Sequence, residues 1–570
     1  MSRPAARADL QILRRAGQIL AWLDSDPSFA RSLIVMLGAV LAAWALVALG
    51  GGVFVNNYVL DFGFAVGEAW RLAQGQFPYL DWRTPLGPLY YALLAGSVAL
   101  APSLPEAVVW AGFLGAVLLM APTLRLMRVG LPGGAALALA LALWLLAAGP
   151  RNPDGLMGDA AWLALYNGLC LPLLAAVLIA ALFPTARPAP GLPAALLDAA
   201  AVGICAAALL LTKAPHGALA IVALVAGVLV RADRRGRLLL GLLVALGGVG
   251  LLGALFPAAA IAHLAQLTET ARASDLLVRL LMKKEIVFGL GAVLLGAGFV
   301  AIWLLEQYRK EDARLWPDVA ALLAATVLAW AAAFQDHPAT PVMAVLPLLL
   351  TWRAASAHLL PIGGPAGRLY RGTKALLLLL VPGLALAWWT ANGAVSVPMA
   401  AVQARLTSPA WGPDAPHAAG WRLPADPQGM RPQAEMTPAE WQATLVAAVD
   451  LLRAQELADR RILILDFANP LPWLLQAPPP RGVLAWMDPD RTLPVHGTMP
   501  LEAIVGDAEV LLSPKRPSHP RVLPVIARLQ GEALTKAFPI VAETDLWRVR
   551  VRAPSSSLDI NPEGRRDPQR

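Results

Sequence analysis

Residues 33–53 read LIVMLGAVLAAWALVALGGGV, a stretch with no charged side chain. A helix needs about 20 apolar residues to cross the hydrocarbon core of a bilayer. The arm before it, residues 1–32, carries too many charges for a secretory leader, and no small-residue cleavage site follows. The stretch therefore reads as a retained first span. Comparable runs lie at 106–124, 133–149, 161–183, 195–212, 216–230, 238–262, 286–307, 318–334, 341–353 and 374–390. Only 15% of the 570 residues are charged, where a soluble globular chain has about 25%. Composition and pattern together predict an α-helical polytopic membrane protein.

The stretch Leu89–Ala101 sets the parity of the spans. It is apolar, but its about 13 residues between Pro88 and Pro102 fall short of a crossing. Charge supplies the second argument. If it does not cross, the basic loops at Arg125 and Arg128, Arg231–Arg237, Arg309–Arg314 and Arg353–Lys374 all join the N-terminal arm on the cytoplasmic side, as the positive-inside rule requires. The expected architecture is thus about eleven transmembrane helices plus interfacial ones over residues 33–390. A long outer loop spans 54–105, and an outer loop at 263–285 holds Arg272, Arg279, Lys283 and Lys284. An aromatic pair, Trp388–Trp389, suits the interface where the membrane part ends.

After it comes a linker over 391–436, of which residues 400–436 are rich in proline, lack periodicity and read as irregular. Thr437-Pro438-Ala439-Glu440 is a capping box with proline at the first helical position, so a helix to about Asp459 should follow. Strands are expected at Arg461–Phe467, Gly482–Met487, Ala508–Leu512 and Leu546–Val551, with a helix near Pro520–Ala537. Together these predict a small α/β domain over 437–555, and the polar tail 556–570 reads as disordered. The net charge of +8 fits arginine-rich loops against anionic lipid. No basic block is interleaved with aromatics, which argues against nucleic acid. Cys170 and Cys205 fall inside apolar segments and form neither a metal nor a disulfide frame.

The outer loop carries the chemistry. It begins Asn56-Asn57-Tyr58-Val59-Leu60-Asp61-Phe62-Gly63, continues through Glu68 to Gly75-Gln76-Phe77-Pro78-Tyr79-Leu80-Asp81-Trp82, and ends Pro85-Leu86-Gly87-Pro88-Leu89-Tyr90-Tyr91. A helix would put Asp61 and Glu68 on one face, about 10 Å apart. Asp61 is then either a base of perturbed pKa at the membrane surface or simply the cap of a helix at 62–74.

An acid directly after the first span, a G-x-x-P-Y-x-D turn and a proline-flanked P-L-x-x-Y helix resemble the polyprenyl-phosphate-sugar-dependent glycosyltransferases of the GT-C superfamily. The similarity is to the protein O-mannosyltransferase (glycosyltransferase family 39) and lipid A aminoarabinose transferase group. Arg151-Asn152-Pro153-Asp154-Gly155 with Asp159 is similar to that group's second acidic loop. Lys213-Ala214-Pro215-His216 is similar to its lysine-containing turn, and Gln335-Asp336-His337-Pro338 to its late outer loop. Many members carry adjacent acids after the first span, whereas here Phe62 follows Asp61, so Glu68 or Asp154 takes the second acid's part or that part is missing.

The resemblance implies a bacterial inner-membrane enzyme with a cytoplasmic N-terminus and a periplasmic C-terminal domain. Its donor would be a sugar on a polyprenyl phosphate, and its acceptor a lipid, glycan or protein. The leaving group is already a stable phosphate anion, so the general acid of a glycosidase is unnecessary. One base and phosphate-holding cations suffice. Asp61 is the candidate base; Glu68, Asp81, Asp154 and Asp159 are candidates for the second acid or for acceptor binding. Arg83, Lys213, His216, Lys283 and Lys284 are candidate phosphate partners, and a divalent ion (Mg or Mn) would bridge Asp61 and Asp154.

Each assignment has a plainer alternative: Lys283 and Lys284 as lipid anchors, Lys213 as a snorkelling span end, Asp154 and Asp81 as turn residues. Two rival functions are a lipid-linked glycan polymerase or ligase and, less favoured, a transporter, which would expect broken helices and ionisable groups near the midplane.

Overall fold

A computed structural model of the chain describes residues 25–56, 58–151, 158–186, 191–273, 316–335, 346, 350, 393–411, 415–418, 420–423, 436–489, 491–495 and 497–554. The expected spans 286–307 and 374–390, nearly all of 341–353, Asp154, Lys283, Lys284, the turn 336–338 and the tail 556–570 lie outside the described residues. The chain divides into two compact units.

The first unit, residues 1–62, 86–260 and 275–427, is the membrane part. Among the described residues, five helices are long and apolar enough to cross a bilayer: Phe29–Leu49, Leu104–Gly130, Trp162–Leu182, Leu192–Thr212 and Ala232–Leu255. Shorter apolar helices occupy Pro88–Leu100, Gly133–Ala148, Ala214–Val230 and part of Trp316–Gln335. The chain is a helical multi-pass membrane protein. The span Trp162–Leu182 is 94% buried and forms the centre, whereas Ala232–Leu255 is 17% buried and turns Leu243, Leu246 and Leu251 outward, as a lipid-facing helix does. Small residues set the closest helix contact. A Cβ on Gly203 would meet the side chain of Val244 and the carbonyl of Gly241, so glycine there lets two backbones approach.

Arginines hold one end of this bundle. Asp198 takes Arg125 at 2.9 Å and Arg237 at 3.2 Å. Arg231 pairs with Asp318, both side chains nearly buried, and its Nε donates at 2.9 Å to the Leu182 carbonyl at a helix end. Arg128 pairs with Asp26 at 2.7 Å. These partners cap orphan helix carbonyls and neutralise charge that would otherwise be costly to bury.

Two expectations need correction. Residues 400–436 were expected to be irregular, but the helix over 393–406 runs into them, and strand Trp421–Leu423 pairs in parallel with Val53–Phe54 and antiparallel with Ser408–Pro409. Pro398 lies inside this helix, and an interior proline reads as a helix boundary. The outer loop expected at 263–285 is helical through Ala273, within helix Pro257–Ala273.

The second unit joins residues 63–85 and 261–274 to 428–570. Its sheet runs Ile462–Ile464, Val510–Pro514, Trp547–Val551, Ile540–Glu543, with the first pair parallel and the rest antiparallel. The last of these strands was missed because three of its four residues are exposed, leaving no apolar alternation to read. The capping box forms as expected: Thr437 Oγ1 accepts from Glu440 N at 3.2 Å and Glu440 Oε2 accepts from Thr437 N at 2.6 Å, starting helix Pro438–Ala454. Outer-loop residues are woven into this unit. Trp82–Arg83 pairs in parallel with Val483–Leu484; Trp70 Nε1 donates to the Ala477 carbonyl at 2.9 Å, and Gln76 Nε2 to that of Pro479 at 2.7 Å.

Candidate functional site

In the membrane unit, three segments that lie far apart in sequence, Leu86–Tyr91, Trp162–Asn167 and Thr212–His216, meet around Lys213. Helix Leu192–Thr212 ends at Lys213, which also precedes helix Ala214–Val230, where Pro215 sits in the first turn. Proline there fixes the helical start without losing a needed N–H. Lys213 Nζ donates to Asn167 Oδ1 at 2.9 Å and stands 6.0 Å above the Tyr166 ring. Tyr166 Oη in turn donates to the Thr212 carbonyl at 2.6 Å. Trp162 stacks on Tyr166 at 5.5 Å and donates through Nε1 to Tyr90 Oη at 2.6 Å.

Tyr90 enters because Gly87 N–H donates to the Thr212 carbonyl at 3.2 Å, which seats the Leu86–Tyr91 segment on the turn. The approach is close enough that a Cβ on Gly87 would lie 2.2 Å from the Leu211 oxygen. The lysine therefore sits at the rim of an aromatic cluster made of Tyr90, Trp162 and Tyr166, with an amide fixing its head. His216 is fully buried in the first turn of the following helix.

Asp61 is also buried in this unit, at the third residue of helix Val59–Ala73. The capping alternative had assumed a helix starting at 62. Because the helix begins at Val59, Asp61 lies inside the first turn, where the macrodipole favours a carboxylate. Tyr58, just before the helix, has φ 58°, a left-handed conformation that is costly for a bulky residue and that clusters at functional sites.

Asp159 is fully buried, and its Oδ1 accepts the Asn56 N–H at 2.7 Å. Beside it, the Ala160 N–H donates to the Phe54 carbonyl at 2.9 Å. The second acidic loop thus clasps the segment that leads to Asp61. Asp159 is a positioning residue in this arrangement; its companion Asp154 lies outside the described residues.

The second unit holds the remaining candidates. Glu68 is buried on helix Val59–Ala73, seven residues after Asp61 as expected. Tyr79, at φ 72°, has its phenol pushed upward by burial and by the negative charge of Glu68. Asp81 Oδ2 accepts from Phe77 N at 2.7 Å and Oδ1 pairs with Arg481 at 3.3 Å, so its observed contacts are those of a turn residue. Arg83 is engaged in an ion pair with Glu269.

That pair belongs to a stripe the sequence reading overlooked. On helix Pro257–Ala273, His263, Gln266 and Glu269 recur every three residues and face the outer loop. The His263 ring lies 4.5 Å from that of Tyr79, Gln266 Oε1 accepts from Thr84 N at 2.7 Å, and Glu269 takes Arg83. Burial pushes His263 down to about 4. A polar residue at every third position from His263 to Asp275 was the available signal.

For a divalent ion, Asp61 is one of the two expected ligands and Asp154 lies outside the described residues. Among the described residues no three His, Cys, Asp or Glu side chains gather as a metal site.

No protein-family model matches the chain, and no curated protein matches it. Similar solved structures include ArnT from Cupriavidus metallidurans bound to undecaprenyl phosphate, 14% identical, with 92% of this chain and 98% of that chain covered at a TM-score of 0.43. Another is the oligosaccharyltransferase AglB from Archaeoglobus fulgidus, in complex with an inhibitory peptide and a dolichol-phosphate. It is 11% identical, with 90% of this chain and 73% of that chain covered at a TM-score of 0.38.

Proposed function

We propose that the chain is a membrane glycosyltransferase of GT-C type, moving a sugar from a polyprenyl phosphate to an acceptor on the periplasmic face of the inner membrane. The observation that carries the reading is the Lys213 turn: a cation held by Asn167 and Tyr166 at the start of a helix. The macrodipole makes a helix N-terminus attractive to phosphate, and the lysine adds a full charge to the same place; the His216 and Gly217 N–H groups turn back to the Lys213 carbonyl, so the lysine is the principal donor there. Two of the stretches that resemble the GT-C group, the proline-flanked segment at Leu86–Tyr91 and the turn at Lys213–His216, are joined there through the Gly87 N–H and the Thr212 carbonyl.

In the proposed reaction the acceptor hydroxyl oxygen attacks the anomeric carbon while Asp61 takes its proton. The bond from that carbon to the phosphate oxygen breaks, and the polyprenyl phosphate leaves with the electron pair. Lys213 and the helix start stabilise the charge on the departing phosphate. Asp159 acts through the backbone, fixing the strand that leads to Asp61. Glu68 is the nearest second acid in sequence, and Asp154 is its rival for that part. Lys283 and Lys284 remain candidate phosphate contacts of secondary weight.

The test is transfer of radiolabelled sugar from a polyprenyl-phosphate donor in proteoliposomes, paired with mass spectrometry of envelope glycolipids and glycans to identify sugar and acceptor. Asp61→Asn should abolish transfer without loss of membrane insertion. Undiminished transfer by that variant removes Asp61 as the base; transfer that also survives Lys213→Gln removes the proposed site.

A further inference from the structure

Sheet topology in the second unit gathers arginines at one edge. Arg461 directly precedes strand Ile462–Ile464, and Glu509 directly precedes Val510–Pro514, its parallel neighbour. Arg552 directly follows Trp547–Val551, which is antiparallel to Val510–Pro514. Two strand starts and one strand end therefore lie side by side. A cavity of about 630 Å³ opens there, and Arg460, Arg461, Asp507, Glu509 and Arg552 line it.

The groups are arranged rather than scattered. Arg552 is pinned by two backbone carbonyls, with Nε donating to Ala508 O at 2.8 Å and Nη2 to Gly506 O at 2.6 Å, and its guanidinium stands 4.7 Å over Phe538. A guanidinium carries five N–H donors, so these two bonds leave both on Nη1 and one on Nη2. Glu509 is shared: it accepts the Arg461 backbone N–H at 3.1 Å and faces Arg461 Nη2 at 3.5 Å and Arg460 Nη1 at 3.7 Å. Arg461 Nε donates to the Asp507 carbonyl at 3.1 Å. Three guanidinium groups thus face two carboxylates in one cavity. Burial and the like charge of Arg461 hold Arg552 below its usual range, against the opposing pull of Asp507. A negative ligand would relieve that strain on the charged form.

We propose that this cavity is an anion site for a phosphate group, carried either by a phospholipid headgroup or by a soluble sugar phosphate. Guanidinium forks match phosphate oxygens bidentately. The pinned Arg552 loses little freedom on binding, which is where a preformed site gains affinity.

The test uses the full chain in neutral detergent at low ionic strength, because salt screens a site of this kind. The Lys213→Gln background keeps phosphate taken by the membrane unit out of the titration. Calorimetric titrations use inorganic phosphate, glucose 6-phosphate and short-chain phosphatidylglycerol. Saturable binding of at least one probe is expected. Arg460→Glu should weaken it roughly tenfold. Arg460 has 56% of its side chain exposed, so this variant should melt with its parent. Glu509→Gln should tighten binding several-fold, since the amide still accepts the Arg461 N–H but no longer competes for the guanidinium charge. Preference for glucose 6-phosphate identifies a saccharide source, and preference for the lipid a headgroup. Absence of saturable binding by any probe, or equal binding by Arg460→Glu at an unchanged melting point, overturns the proposal.

Discussion

Lys213 Nζ donates to Asn167 Oδ1 across 2.9 Å, joining the turn between two helices to a third helix that forms the centre of the membrane unit. If Lys213 holds the leaving phosphate, its removal should act mainly on the chemical step. We expect Lys213→Gln to lower kcat about 100-fold, in the range of losing one group that stabilises developing charge, with a smaller change in KM. Lys213→Arg should recover part of the loss. Asn167→Leu keeps the charge but frees its position, and should fall between the two. A rise in KM with unchanged kcat would instead mean that Lys213 binds donor and transition state equally.

Gly87 should tolerate no side chain. A Cβ there would lie 2.2 Å from the Leu211 oxygen and 2.4 Å from that of Thr212, and both are backbone atoms that a rotamer change cannot move. Gly87→Ala should destabilise the membrane unit by more than about 2 kcal/mol and reduce transfer with it, read as a lowered melting point in detergent. Gly191→Ala controls for loss of backbone freedom alone, since Gly191 also precedes a helix in an extended conformation, with φ −62°, and its added carbon would meet nothing closer than Pro193 Cδ at 4.0 Å.

The bond from Trp162 Nε1 to Tyr90 Oη at 2.6 Å joins two fully buried rings. Tyr90→Phe deprives the indole N–H of that acceptor and should cost about 1–3 kcal/mol. Trp162→Phe removes the donor and leaves the hydroxyl buried. The double variant should cost less than the sum of the singles, by about 0.5–3 kcal/mol. Strict additivity in that cycle would show that the two rings contribute independently to the cluster.

The sequence made the spans legible because membrane helices need long apolar runs, and the arginines at their ends read as loop charges. Asp198 read as an acid near a span start; what stayed hidden was its pairing with both Arg125 and Arg237, because ion pairs between helices leave no spacing rule. The motifs holding Asp61, Tyr90, Asp159 and Lys213 stood out individually. That Tyr90, Trp162, Tyr166 and Asn167 surround Lys213 did not, since with the lysine they come from three separate segments and an aromatic within an apolar run reads as core. The membership of residues 63–85 in the C-terminal unit was equally invisible, as it rests on two-residue strands such as Trp82–Arg83 with Val483–Leu484. Elements that short carry no period.

The histidine stripe gives a pH dependence whose sign follows from His263. Burial lowers its pKa from 6.5 to about 4, so the folded chain binds fewer protons than the unfolded chain between those values. Stability therefore rises with pH across that window and is lost as pH falls from 6.5 toward 4. Below about 4 both states are protonated and the loss levels off. The opposing charges close by are Glu269 on the same helix, paired with Arg83, and Glu68, which acts on Tyr79 against the imidazole. His263→Gln removes the titrating ring, so its melting point should fall less than that of the parent between pH 6.5 and 4.5, and the two curves should run parallel above pH 7. Equal slopes for parent and variant below pH 6.5 would place the acid sensitivity on other groups, and parallel loss of transfer activity would show whether the contact between His263 and Tyr79 serves function as well as folding.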